Sequence, residues 1–231
     1  MSGISPPDIL HTFQIHRTMK IPGIHLSPDD GAAVEAAFAA IDPQPIACLN
    51  WPEEYPYAPT AAFRMFHTGN ELFLRFDVEE RCTMALVAED NGPVWTDSCV
   101  EFFIAPDEKG YYNFETNCIG RMLLEYHPVH ANTVRAHAET LAGIRRTPSL
   151  GGKPFAERQG GNRWSMTLAI PPRALFRHRI VRWDGLRATA NLYKCGDGLS
   201  SPHFLSWRPI TAPRPDFHRP EFFERIQFSE L

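Results

Sequence analysis

The chain has 231 residues, 43% of them hydrophobic, and its 23 Lys and Arg against 27 Asp and Glu leave a formal charge of −4. That length and apolar content suffice for one sizeable core, so a single domain over residues 1–231 is expected. No basic run is long enough to neutralise a phosphate backbone and no apolar run is long enough to span a bilayer, so neither nucleic acid nor membrane is an expected partner.

The first residues, MSGISPPDILHTFQIHR, lack the charged start and apolar middle of a secretory leader, which predicts a cytoplasmic protein. The cysteines, at 48, 82, 99, 118 and 195, are odd in number and form no CxxC pair. Free, mostly buried thiols in a reducing compartment are expected.

In chain order, residues 9–17 read as a strand. Ser27 then offers a helix cap, Pro28 suits a first helical position, and Asp29 and Asp30 favour the positive end of the run AAVEAAFAAI. This predicts one short, Ala-rich helix packed on the sandwich edge. Residues 61–67 and 71–78 are strands joined by the turn His67-Thr68-Gly69-Asn70, with Leu72, Leu74, Phe76 and Val78 facing the core. Further strands are expected at 98–105, 111–119, 121–126, 164–170, 186–193 and 224–228, with a single helical turn in IPPRALF. Residues 148–161, PSLGGKPFAERQGG, are the most loop-like stretch, and prolines clustered at 52–59 and 202–220 predict stiff, extended connections. Short strands separated by Gly, Pro, Asn and Asp predict an all-β fold, a sandwich or a barrel, with one covering helix.

The most informative stretch is WTDSCVEFFIAPDEKGYYNFETN, from Trp95 to Asn117. On its first strand Val100, Phe102 and Ile104 alternate with Cys99, Glu101 and Phe103; on its second, Tyr111, Asn113, Glu115 and Asn117 share one face. If the two polar faces coincide, one sheet surface carries an indole, two carboxylates and two carboxamides. An aromatic ring stacks on the C–H face of a pyranose, and planar acceptors and donors engage its hydroxyls in pairs, so this chemistry suits a mono- or oligosaccharide.

The words WPEEYPYAP, LFLRFDVEE, VWTDSCVEFFI, YYNFETNCIG, ANLYKCGD and HFLSW, in that order, resemble the carbohydrate-binding family 9-like domains, a DOMON-like β-sandwich group related to sugar-binding modules attached to xylanases. The resemblance implies a two-sheet antiparallel β-sandwich of Greek-key type and non-catalytic carbohydrate binding, with a role in carbohydrate catabolism. In the xylanase-linked modules two tryptophans clamp a terminal sugar beside a glutamate. Trp95 and Glu101 match the first tryptophan and the glutamate. Trp207 matches the second by order along the chain, with Tyr193 and Trp51 as alternatives. The related modules often carry structural calcium, for which no dedicated loop can be picked out here.

Each residue also has a plainer role open to it. Trp95 can plug one end of the sandwich, Glu101 can pair with Arg75 or Arg121, and Asn113, Glu115 and Asn117 can form a solvated outer face. Lys194, Cys195 and Asp197 follow strand residues, and CGDG reads as a turn. His203, His218 and Arg219, in the Pro-rich tail, can either reach the cleft or pack against the tail. Two further functions stay open. A glycoside hydrolase would use Glu101 with Glu115 or Asp97. A haem-binding sandwich would draw on Met65, Met84 or Met122 with a histidine.

Overall fold

Alternating apolar side chains on the long strands close one interior between two facing sheets. The computed structural model describes residues 18–231; the strand expected at 9–17 lies outside them. The first sheet has nine strands: β1 (Met19–Ile21), β3 (Cys48–Leu49), β6 (Cys99–Asp107), β7 (Gly110–Asn117), β8 (Met122–Pro128), β9 (Val134–Arg135), β12 (Arg187–Cys195), β13 (Phe204–Ser206) and β14 (Glu224–Phe228). The second has five: β2 (Gln44–Pro45), β4 (Thr60–His67), β5 (Leu72–Ala85), β10 (Arg145–Pro148) and β11 (Phe155–Ile170). All pairings between strands are antiparallel except β1 with β14, which is parallel. β6, β7 and β8 follow one another as hairpins and β12 returns to lie beside β6, the spatial order of a Greek key.

The expected faces are the observed ones. Val100, Phe102 and Ile104 of β6, Tyr112 and Phe114 of β7, and Leu192 of β12 meet Phe63 and Met65 of β4 and Leu72, Leu74, Phe76 and Val78 of β5 in one core. Met65 and Met122 belong to this core. The β4–β5 hairpin forms as expected, with Gly69 at φ 79° in its turn, a conformation that disfavours any side chain.

Three expectations are corrected. The helix, α1 (Gly31–Ala39), is capped by Asp30 and not Ser27: the Ala33 amide donates to Asp30 Oδ1 at 3.1 Å. It packs Val34, Ala37 and Phe38 on Phe66, Phe73 and Ala169, the outer face of the five-stranded sheet and not its edge. Residues 155–161, read as loop, begin β11, which pairs with the far half of β5 across two register irregularities. That part of the ribbon is largely exposed, so its polar and Gly-rich composition mimics a loop. A second helix, α2 (Ala138–Ala142), and the strands of two to four residues carry too few positions to show a period. No helix among the described residues is long and apolar enough to cross a membrane.

Candidate functional site

The outer face of the nine-stranded sheet is covered at one end by the Pro-rich segment 208–223. Asn191 on β12 ties the start of that segment down, its Nδ2 donating to the Arg208 carbonyl and its Oδ1 accepting from the Arg208 amide. Further along, Phe217 stacks on Tyr193 with ring centroids 4.2 Å apart, and the Tyr193 hydroxyl donates to the Phe217 carbonyl. His218 Nδ1 lies 2.8 Å from the Tyr111 hydroxyl. What this segment leaves open is a cavity of about 310 Å³, at the small end of ligand-sized pockets.

Register places the floor. Glu101 on β6 stands directly opposite Glu115 on β7 and Tyr193 on β12, while Cys99 stands opposite Cys195. Both carboxyl groups open into the cavity although the residues are only 3% and 4% exposed. At the rim is Trp95, 37% exposed, in a short 3-10 helix held by the turn that follows β12: the Asp197 amide donates to the Trp95 carbonyl and the Gly198 amide to the Thr96 carbonyl. A Cβ on Gly198 would sit 2.7 Å from that Thr96 oxygen, so the close approach requires glycine. Asp197, Glu125, Arg135, Asp216, His127 and His218 complete the polar lining.

Burial dominates the electrostatics. It raises the Glu115 carboxyl to about 7, with Asn113 pulling down and Glu125 and Asp197 pushing up. It raises Glu101 as well, to which the neighbouring Glu115 charge adds. Asp197 is raised to about 6 by burial. His127 is lowered to about 4 by desolvation and by His218, and is therefore a neutral imidazole. Glu125 is held by Arg135, whose Nε donates to Glu125 Oε1 at 3.0 Å. Acidic groups outnumber the one guanidinium in the lining, so the cavity disfavours anions.

Trp95, Glu101 and Glu115 are thus brought together, and the other expected site residues have different duties. Asn113 lies beneath the cavity and orients Glu115, its Nδ2 donating to Glu115 Oε1 at 2.7 Å while its Oδ1 accepts from the Glu125 amide. Asn117 donates to Asp97 and to the Val87 carbonyl and accepts from the Arg121 amide, which makes it part of the turn scaffold. Tyr193 is fully buried under Phe217 and supports the floor. Trp207 is not a second clamp: it faces the core between the sheets, edge-on to Phe63 at 5.4 Å. Trp51 packs behind the Pro-rich segment, its Nε1 donating to the Ala212 carbonyl. Asp97 leaves the hydrolase option, because its two oxygens accept from the Leu86 and Val87 amides and from Asn117.

Neither Arg75 nor Arg121 pairs with Glu101. Arg75 bonds Asp77 and Glu35 on the other sheet, and Arg121 reaches the Gly152 carbonyl. His203 sits between the sheets beside Lys194, and Arg219 pairs with Asp216 and Glu221; of that tail trio His218 alone lines the cavity. Glu125 and His127 continue the polar face onto β8, a signal present in the alternation of 123–127. His218 reaches the cleft, one of the two places open to it in the sequence, whereas Phe217 comes from a segment without periodicity and nothing in the sequence announces it.

Among the described residues one group of three or more His, Cys, Asp or Glu side chains has its ligand atoms together: Cys99, Glu101 and Cys195. Two sulfurs and one carboxylate do not suit calcium, which takes six to eight oxygens, so no calcium site is assigned.

A two-sheet sandwich with a polar, aromatic-rimmed cavity on one outer face has the architecture of lectin-like binding modules. The model of carbohydrate-binding family 9 matches residues 32–228, and the chain belongs to that family. It is similar to a candidate carbohydrate-binding protein from Bacteroides uniformis, with 41% identity, 92% of this chain and 97% of that one covered, and a TM-score of 0.85. It also shares its fold with a family 9 module from Caldicellulosiruptor kristjanssonii. That module's complex with cellotriose aligns at 9% identity and a TM-score of 0.58 over 93% of this chain and 95% of that one. Its complex with glucose aligns at 8% and 0.57, over 93% and 97%. The search of curated proteins found no match.

Proposed function

We propose that the cavity binds a neutral sugar, with one pyranose face on Trp95 and its hydroxyls shared by Glu101 and Glu115. One observation carries the reading. Glu115 Oε2 is buried without a hydrogen-bond partner, in the same cavity as Glu101 and the half-exposed Trp95 indole. An unpartnered buried acceptor costs about 1–3 kcal/mol, which a ligand hydroxyl donating to it would offset. The excess of acids over cations favours an uncharged polyol over a phosphate or uronate. Family membership and the sugars held by the Caldicellulosiruptor module support the same class of ligand.

The opposed carboxyls favour a second reading. Directly opposite residues on antiparallel strands have Cβ atoms about 4.5–5.5 Å apart, within reach of the carboxyl separation of about 5–5.5 Å in retaining glycosidases. Calorimetric and tryptophan-fluorescence titration with mono- and oligosaccharides, glucose and cellotriose included, with product analysis of each mixture, separates the two. Saturable binding that weakens in Trp95→Ala, with the sugar recovered intact, supports the binding module. Cleavage lost in Glu101→Gln would transfer the case to catalysis, and no binding across the panel would refute both.

A further inference from the structure

We propose that Cys99, Cys195 and Glu101 form a zinc(II) site in the floor of the cavity. The sugar reading is not needed for it. The two cysteines are opposite one another on neighbouring antiparallel strands, Glu101 is two positions along β6 on the same face, and the three donor atoms lie within 4.8 Å of one another. The Cys195 Sγ is 3.0 Å from Glu101 Oε1. Zinc–sulfur bonds of about 2.3 Å and zinc–oxygen bonds of about 2.0–2.2 Å place tetrahedral donors about 3.5–3.8 Å apart, so small side-chain shifts close the site. Paired thiolates select a soft or borderline cation over calcium or magnesium.

The position also has an entry route. Cys195 and Glu101 line the cavity, and Cys99, opposite Cys195 in register, is fully buried beside them. A metal held by these three side chains keeps its fourth position toward the cavity, where Asp197 and the unpartnered oxygen of Glu115 stand. The remaining cysteines do not join the cluster: Cys48 contacts the Trp207 carbonyl, Cys82 contacts Gln159 and Ser200, and Cys118 contacts the Met84 carbonyl. Because cysteine ligates as the thiolate, zinc entry releases protons and uptake strengthens as pH rises.

The test is titration of the intact, phosphine-reduced chain with cadmium(II) as a spectroscopic stand-in, followed by displacement with zinc. The expected result is one cadmium per chain with a sulfur-to-metal charge-transfer band in wild type and in Cys48→Ser, reversed by zinc. Cys99→Ser and Cys195→Ser should lose about half of that band, and affinity should fall by more than about tenfold, the loss that even outer-shell changes produce. Glu101→Gln, which keeps both thiols and tests the site if a cysteine variant fails to fold, should keep the band and lose affinity. A wild type without the band, or a band unchanged in folded Cys195→Ser and of unchanged affinity in Glu101→Gln, overturns the site.

Discussion

Trp95 and Trp207 lie on opposite sides of the same nine-stranded sheet. Trp95 rims the outer cavity, while Trp207 is edge-on to Phe63 of the facing sheet. Their removal should therefore have opposite signatures. Trp207→Ala opens a hole in the core and should cost about 3–5 kcal/mol, read as a lower urea midpoint. Trp95→Ala removes a side chain already 37% exposed and should leave the urea midpoint nearly unchanged, while sugar affinity falls about tenfold, the effect of losing roughly 1.4 kcal/mol of stacking. Calorimetry and denaturation of both variants check the pair.

The sheet face was legible because strand period is local. Val100, Phe102 and Ile104 against Glu101 and Phe103 follow from alternation alone, as does the coincidence of the β6 and β7 faces once a short turn joins them. The path of the tail was not legible, although its imidazoles were. Phe217 and His218 reach the cavity through a Pro-rich segment whose path depends on Asn191 and Tyr193, more than 20 residues earlier. Polarity also misled: Asn117 and Asp97 resemble ligand-binding residues in sequence, but their hydrogen bonds go to backbone amides, backbone carbonyls and one another, while Asn113 is taken up by Glu115 and the Glu125 amide. Sequence reveals a side chain's chemistry more readily than which partner takes up its hydrogen bonds.

Asp97 makes that distinction measurable. It fixes the end of β5 by accepting from the Leu86 and Val87 amides, and it receives Asn117 on the same side. Asp97→Ala orphans these donors and should lower stability by about 1–3 kcal/mol or more, since a buried unsatisfied group costs that much. Sugar affinity of the folded fraction should change little. A catalytic Asp97 would show the reverse, a stable protein with lost turnover.

The acid pair makes stability depend on pH in a direction that follows from burial. Glu115 titrates near 4.5 in the unfolded chain and about 7 when folded. The folded state thus binds the proton more tightly, and stability falls as pH rises from about 4.5 through 7. His127, displaced from 6.5 to about 4, acts oppositely and loses stability as pH falls through that window, so the two partly cancel in wild type. The readout is therefore the difference between wild type and Glu115→Gln. That difference should move in the variant's favour by something on the order of 2 kcal/mol between pH 4.5 and 8, and then level off. If a sugar hydroxyl donates to the Glu115 carboxylate, wild-type affinity should rise as pH passes about 7, and Glu115→Gln should abolish that rise.

Between the sheets, Lys194 and Glu80 form an ion pair 2.8 Å long with both side chains fully buried. Lys194 occupies an inward position of β12, next in line after Ala190 and Leu192, and it also donates to the Cys195 carbonyl. Glu80 accepts from Trp164 Nε1 at 2.7 Å and from Thr83 Oγ1 at 3.0 Å. Burial of such a pair contributes little net stability, because desolvation offsets the attraction, but removing one partner strands the other charge. Lys194→Met should therefore cost about 3–5 kcal/mol. In Lys194→Met/Glu80→Gln no charge is left behind and the carboxamide oxygen still accepts from Trp164, so part of that loss should return. Because Lys194 sits between Tyr193 and Cys195 of the cavity floor, the single variant should also weaken sugar binding, and the double variant should restore both together. Urea midpoints and calorimetric affinities of the three proteins decide it: a double variant no more stable than the single one would show that the pair is held for packing and not for charge balance.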